Sequence, residues 1–382
     1  MLKTHFSRFL QSDPQRLHFA AHSHHPWPDA TEAAHLQYWA DSARLIDDKW
    51  AHIFSSVIPE AQGHLEKELK LPAQNFVFAA NTHELLLRLL SCLPERPTIV
   101  TSDAEFHSFE RQTRRLEEEG LLTVERVAAE PFHSFAERYV AAVKARRPNL
   151  AFVSQVFFNS GFSIEPLSAV LQEISSETML VIDGYHGFCA VPVDLSAFAD
   201  RLFYLAGGYK YAMAGEGACF MHVPEGVALR PRNTGWFASF GALESAAKTI
   251  SYASGAARFF GATFDPSGLY RFNASMQWRD QVGCGTAKNR EYAHALQHQF
   301  IMGLSKHNGP LNPGQLVVPL ETASRGQFLT FRTARAAELS AQLKSLNVIT
   351  DSRGDRLRFG FGVYQSSDDV SALLERVHRV SA

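Results

Sequence analysis

Short apolar runs recur through the middle of the chain, separated by longer amphipathic stretches. The runs at 76–79, 98–101, 123–127, 150–156, 179–182, 202–206 and 218–222 read as buried strands. The stretches at 84–92, 108–119, 134–146 and 166–175 read as helices. This alternation predicts an α/β domain on a mostly parallel sheet. The flanks differ. A long helical pattern rich in Ala, Trp and Asp runs from 29 to 56. Past 290, the pattern gives a helix at 291–304, a strand at 327–332, a helix at 334–346, a strand at 356–361 and a closing helix at 368–380. Neither flank holds enough to fold alone. We therefore expect a large domain of 57–275 and a smaller α/β domain assembled from 1–56 and 276–382.

Composition narrows the classes. The 382 residues are 46% hydrophobic and 20% charged, ordinary for a globular protein. A formal net charge of -2 gives no electrostatic argument for nucleic acid or an anionic membrane. No apolar run reaches about 18 residues, so no membrane span is expected, and residues 1–17 lack the apolar core of a signal peptide. Cys92, Cys189, Cys219 and Cys284 form no CxxC pair, which suits a reducing cytoplasm. The 17 histidines show no zinc-module spacing, and the His22–His25 cluster has no evident ligand partners, so no metal is expected.

Candidate chemistry lies in the central segment. Asp183 follows the apolar run 179–182, at the strand end where open α/β sheets bind ligands. Lys210 lies just past the next strand, in Gly208-Tyr209-Lys210-Tyr211, with Gly215-Glu216-Gly217 following. Taken singly, the acid could be a helix cap and the lysine part of a loop. Together, one strand–helix–strand unit apart, they suit pyridoxal phosphate (PLP) chemistry. That chemistry needs a lysine for the Schiff-base link and a carboxylate to keep the pyridine nitrogen protonated.

Asp183 with His186 three residues on, then Tyr209-Lys210-Tyr211 and the small-residue tail, resembles the kynureninase branch of class V, fold-type I PLP enzymes. The resemblance runs over nearly the whole chain. It implies an aspartate-aminotransferase-like fold and a homodimer with shared active sites. Asn81-Thr82 matches the phosphate-binding turn, where a helix amino terminus offers free N–H groups. Phe106, in Asp103-Ala104-Glu105-Phe106, matches the ring that stacks on the pyridine, and Trp236 matches the indole that donates to the phosphate. His186 and Tyr209 are expected beside the cofactor. Ser23 in the opening turn and Asn159 in the strand-end loop 159–161 are expected at the substrate. Arg358 matches the arginine that forks onto the substrate carboxylate, and alternation with Leu357 and Phe359 predicts an inward polar position.

The implied chemistry is hydrolytic Cβ–Cγ cleavage of a kynurenine-type amino acid, with Lys210 as base at Cα and Asp183 holding the pyridinium. The sequence departs from the family at His24-His25 and at Ala212-Met213-Ala214, positions bordering the substrate side. Alternatives are a class V aminotransferase, or another PLP lyase or racemase, on a different amino acid. A cysteine desulfurase would need a mobile persulfide-forming thiol, for which Cys284 is the remote candidate. A non-catalytic PLP-binding protein would be expected to lack the lysine or the acid, and both are present.

Overall fold

A computed structural model describes residues 2–242, 249–306, 309–321 and 324–380. Its large sheet has seven strands: β1 (Phe76–Ala79), β2 (Thr98–Ser102), β3 (Thr123–Val127), β4 (Leu150–Ser154), β5 (Met179–Asp183), β6 (Leu202–Gly207) and β7 (Cys219–His222). Their spatial order is β1-β7-β6-β5-β4-β2-β3. All neighbours are parallel except β7, which runs antiparallel to both β1 and β6. Every residue of β1, β4, β6 and β7 is buried, as expected of strands covered on both faces. That is why they read in sequence as unbroken apolar runs.

The longer helices of the first three quarters are α1 (Ala30–Leu45), α2 (Ile58–Leu69), α3 (Thr82–Leu90), α4 (His107–Glu118), α5 (Phe135–Arg146) and α6 (Ser267–Gln281). The helical pattern over 29–56 is not one helix. It breaks after α1 where Ile46 takes a φ of 50°, and the chain continues through short 3₁₀, α and π turns before α2. The stretch 166–175 is helical only at Ser168–Leu171. No helix is anticipated at α6, because nearly every side chain from Ser267 to Asn273, polar ones included, is buried. A helix covered all round shows no amphipathic stripe.

A second, three-stranded sheet forms from β8 (Phe328–Arg332), β9 (Asp351–Arg353) and β10 (Arg356–Gly360), antiparallel in the order β9-β10-β8. It packs with α7 (Thr286–Leu304), α8 (Ala336–Ser345) and α9 (Ser367–His378) around a separate core that includes Phe300, Phe331, Leu357, Phe359 and Leu373. The amino-terminal stretch divides between the two cores. Leu17 and Phe19 join the smaller one, while Phe6, Ala21 and Ile53 join the larger. Leu17–His18 pairs in parallel with Val348–Ile349, and the Gly360 N–H donates to the Phe19 carbonyl at 2.7 Å. Among the described residues no helix is long and apolar enough to cross a membrane.

Several histidines are buried or half-buried in this framework without a carboxylate to stabilise their charge. Burial holds His18 at about 3, and His25, His222 and His294 at about 4. Each takes up a proton more readily in the unfolded chain, so stability is full above about pH 6.5 and falls as pH drops toward the folded values. Glu105 acts the other way. Its carboxyl is pushed up to about 7, so it favours the fold as pH falls. The histidines outnumber it. We predict that chemical denaturation at pH 6 and pH 5 will show a net loss on the order of 2 kcal/mol. A flat or rising stability over that interval would contradict the assignment of these imidazoles as buried and neutral.

Candidate active site

The carboxyl ends of β4, β5 and β6 open onto a cavity of about 740 Å³. Asp183 is the last residue of β5 and sits at the cavity floor, level with Ser154 of β4 and Leu205 of β6. Burial raises the pKa of its carboxyl. The Tyr185 N–H, which donates to Oδ1 at 2.9 Å, and the nearby Lys210 work in the opposite direction. Lys210 follows β6, is 8% exposed, and has no carboxylate ion-pair partner among the described residues. Burial, with Arg358 nearby, depresses its pKa far below that of an ordinary amine. Nζ hydrogen-bonds the buried His186 Nε2 and lies 5.2 Å from the centroid of the Tyr185 ring and 5.9 Å from that of Phe106. Burial also keeps His186 well below the usual imidazole range, and its Nδ1 has no partner. Burial thus disfavours the charged form of both the amine and the imidazole.

At the cavity rim, Asn81 caps α3, its side-chain oxygen accepting the Glu84 N–H at 3.0 Å. The first-turn N–H groups of a helix have no intrahelical acceptor, so this end favours an anion. The Thr82 amide is directed at the Cys219 thiol. Phe106 stands before α4 with its ring half-exposed to the cavity and its edge against Phe158.

The smaller sheet supplies the opposite wall. Arg358, in the middle of β10, is 3% exposed. Its guanidinium donates to the Phe158 carbonyl and to Asp351 Oδ2, while Nε is left without a partner. Asp351 Oδ1 also accepts from Arg353 Nη1 at 2.7 Å. The amino-terminal turn closes the top. The His22 ring stacks on Phe328 with centroids 4.6 Å apart, and His24 Nδ1 lies 2.9 Å from the Tyr209 hydroxyl. Gly360 permits this approach, since a Cβ there would stand 2.4 Å from His22 Nδ1.

Residues 290–377 match the family of kynureninase C-terminal domains. A kynureninase of Deinococcus radiodurans is 30% identical over 226 residues, which cover 58% of this chain and 54% of that protein. The match thus spans about half the length of the curated relative. A solved cystine C–S lyase with its product cysteine persulfide superposes with a TM-score of 0.80 at 14% identity, covering 96% of this chain and 98% of that one. The apo cysteine desulfurase of Thermococcus onnurineus gives 0.79 at 17% identity, covering 97% of each chain. The carboxyl-terminal segment therefore resembles kynureninases, and the chain as a whole shares the fold of these lyase and desulfurase structures. A lysine-to-alanine variant of the same lyase, with glycine covalently linked to its PLP cofactor, superposes at 0.80 with 14% identity, covering 97% of this chain and 98% of that one.

In this chain one cavity gathers Lys210, Asp183, His186, Asn81, Thr82, Phe106, Tyr209, Ser23 and Arg358. It does not gather Trp236 or Asn159. Trp236 is 43% exposed and stacks on its neighbour Phe237. Asn159 lies in the turn after β4, where Phe158 faces the cavity instead.

Two residues beneath and beside the site were not singled out from sequence. Glu105 is buried and accepts hydrogen bonds from the hydroxyls of Ser102 and Ser154. Its place beside Phe106 was the available signal. Asp351 pairs directly across the hairpin from Arg358. Its signal was the turn at Gly354, which folds 351–353 back on 356–358.

Proposed function

We propose that this chain binds PLP on Lys210 and cleaves the Cβ–Cγ bond of a kynurenine-type amino acid by hydrolysis. The observation that carries the reading is the convergence of Lys210, Asp183, Phe106 and the amino terminus of α3 on one cavity. These residues fit the cofactor. Asn81 and Thr82 would hold its phosphate, Phe106 would lie on its ring, Asp183 would keep its nitrogen protonated, and Lys210 would carry it. When bound, PLP supplies an electron sink for the carbanion formed beside the substrate amine.

The chain's own residues would do the rest. Lys210, in which burial favours the uncharged amine, takes the proton from the substrate Cα. His186 hydrogen-bonds that amine and fixes its direction. Arg358 orients the substrate carboxylate through the donors that Asp351 and Phe158 leave open.

The similarity to desulfurase structures does not extend to a suitable thiol. Among the described residues no cysteine lines this cavity. Burial raises Cys92 and Cys219 to about 12, and Cys284 is buried against Asn289. A persulfide-forming cysteine needs exposure and thiolate character. The same proposal includes a cytoplasmic homodimer with shared sites. Its support is the set of unpaired cysteines and the exposed apolar side chains of Trp236, Phe240 and Ile250.

The test uses the PLP-loaded protein with kynurenine, 3-hydroxykynurenine and ordinary amino acids, with and without a keto acid. Release of alanine and an aromatic acid from a kynurenine is the expected result. Turnover that requires a keto acid would replace the hydrolase reading with an aminotransferase.

A further inference from the structure

The Lys210 cavity has two ends of different character. Asp183 is the only carboxylate among its described lining residues, and it lies at the inner end near Lys210. The outer wall is one face of α4, where Ser108, Arg111, Gln112 and Arg115 follow the i, i+3, i+4, i+7 spacing of a single helical stripe. The acids of that helix are engaged elsewhere. Glu110 binds Arg114 and Arg126, Glu117 binds Arg126, and Arg115 is balanced by Glu118 and Glu119. Arg111 has no hydrogen bond or ion pair among the described residues, yet it faces the cavity. The helix therefore presents to the cavity donors and positive charge but no acid.

We infer that the substrate is a kynurenine-type amino acid whose distal ring carries an anionic group, most simply a second carboxylate, and that Arg111 binds it. A planar guanidinium suits a carboxylate because two N–H groups can be directed at its two oxygens. Gln112 and Ser108, on the same stripe, add neutral donors beside it. The inference rests on the PLP reading above, and it names what the distal half of the substrate must look like. The same charge could instead serve the cofactor phosphate, so the experiment must separate the two anions.

The experiment measures equilibrium binding to the PLP-loaded protein, by absorbance and by calorimetry. Glutamate and 2-aminoadipate are compared with their uncharged counterparts glutamine and norleucine. The acids are expected to bind about tenfold or more tightly than the neutral partners, the effect of one charge-assisted contact. Arg111→Ala should bring that ratio close to one. Arg114→Ala, which removes an arginine that pairs with Glu110 and does not line the cavity, should preserve it. The inference is overturned if wild type shows no preference, or if the preference survives in the Arg111→Ala, Arg115→Ala double variant. It is also overturned if Arg111→Ala leaves the ratio intact but weakens PLP more than pyridoxal, which would assign the arginine to the phosphate. A protein that shows no visible cofactor band sinks the PLP reading itself, a failure distinct from the others.

Discussion

Replacing Lys210 with alanine is expected to yield a folded protein that shows no visible band from lysine-bound cofactor and whose turnover falls by about 10⁴-fold or more. The fold should survive because the lysine contributes little to it. Its amine is buried, has no carboxylate partner among the described residues, and is depressed far below the amine range by burial and by Arg358. Removing a buried amine of this kind relieves desolvation, so the thermal midpoint should hold or rise. Lys210→Arg gives an independent check. It keeps a long nitrogen-bearing side chain in the cavity, but a guanidinium stays protonated and can serve neither as nucleophile nor as base. If either variant retains substantial turnover, Lys210 is not the residue that carries the cofactor.

The second large effect concerns stability. Asp351→Ala should destabilise the fold by about 3–5 kcal/mol, because it leaves the Arg358 guanidinium buried with its main counter-charge removed. The effect is larger than for a surface pair because Arg358 is 3% exposed and cannot turn out to water. Exposed Arg353, which shares Asp351, should contribute little. Asp351→Asn, which keeps an acceptor for Arg358 but no charge, should lie between wild type and the alanine variant. Denaturant melts of the three proteins measure this directly. A loss below about 1 kcal/mol for Asp351→Ala would show that the pair behaves like a solvated one.

The large sheet was legible in the sequence because most of its strands are buried on both faces. Apolar runs such as 202–206 therefore stand out without any knowledge of their neighbours. The site's inner end was legible for a related reason. Asp183 and Lys210 are each placed by the strand just before them, so sequence position fixes which end of the sheet they occupy. What the sequence hid depends on distant partners. The α6 segment reads as irregular because polar side chains such as Arg271 and Asn273 are buried in contacts far along the chain. Asp351 gains its meaning only through the hairpin register that sets it opposite Arg358. Nothing local marks Arg111 apart from Arg114, since their difference is that one lines the cavity while the other pairs with Glu110.

The pairing of Leu17–His18 with Val348–Ile349 also bears on how the protein is made. A ribosome delivers residues 17–25 more than three hundred positions before the strand that will hold them. The large sheet can form while the chain is still being synthesised, but the histidine turn above Lys210 has no edge to dock on until the last strands emerge. Contacts of such long sequence separation are slow to close. The nascent chain therefore holds a finished floor and an open roof until translation is almost complete.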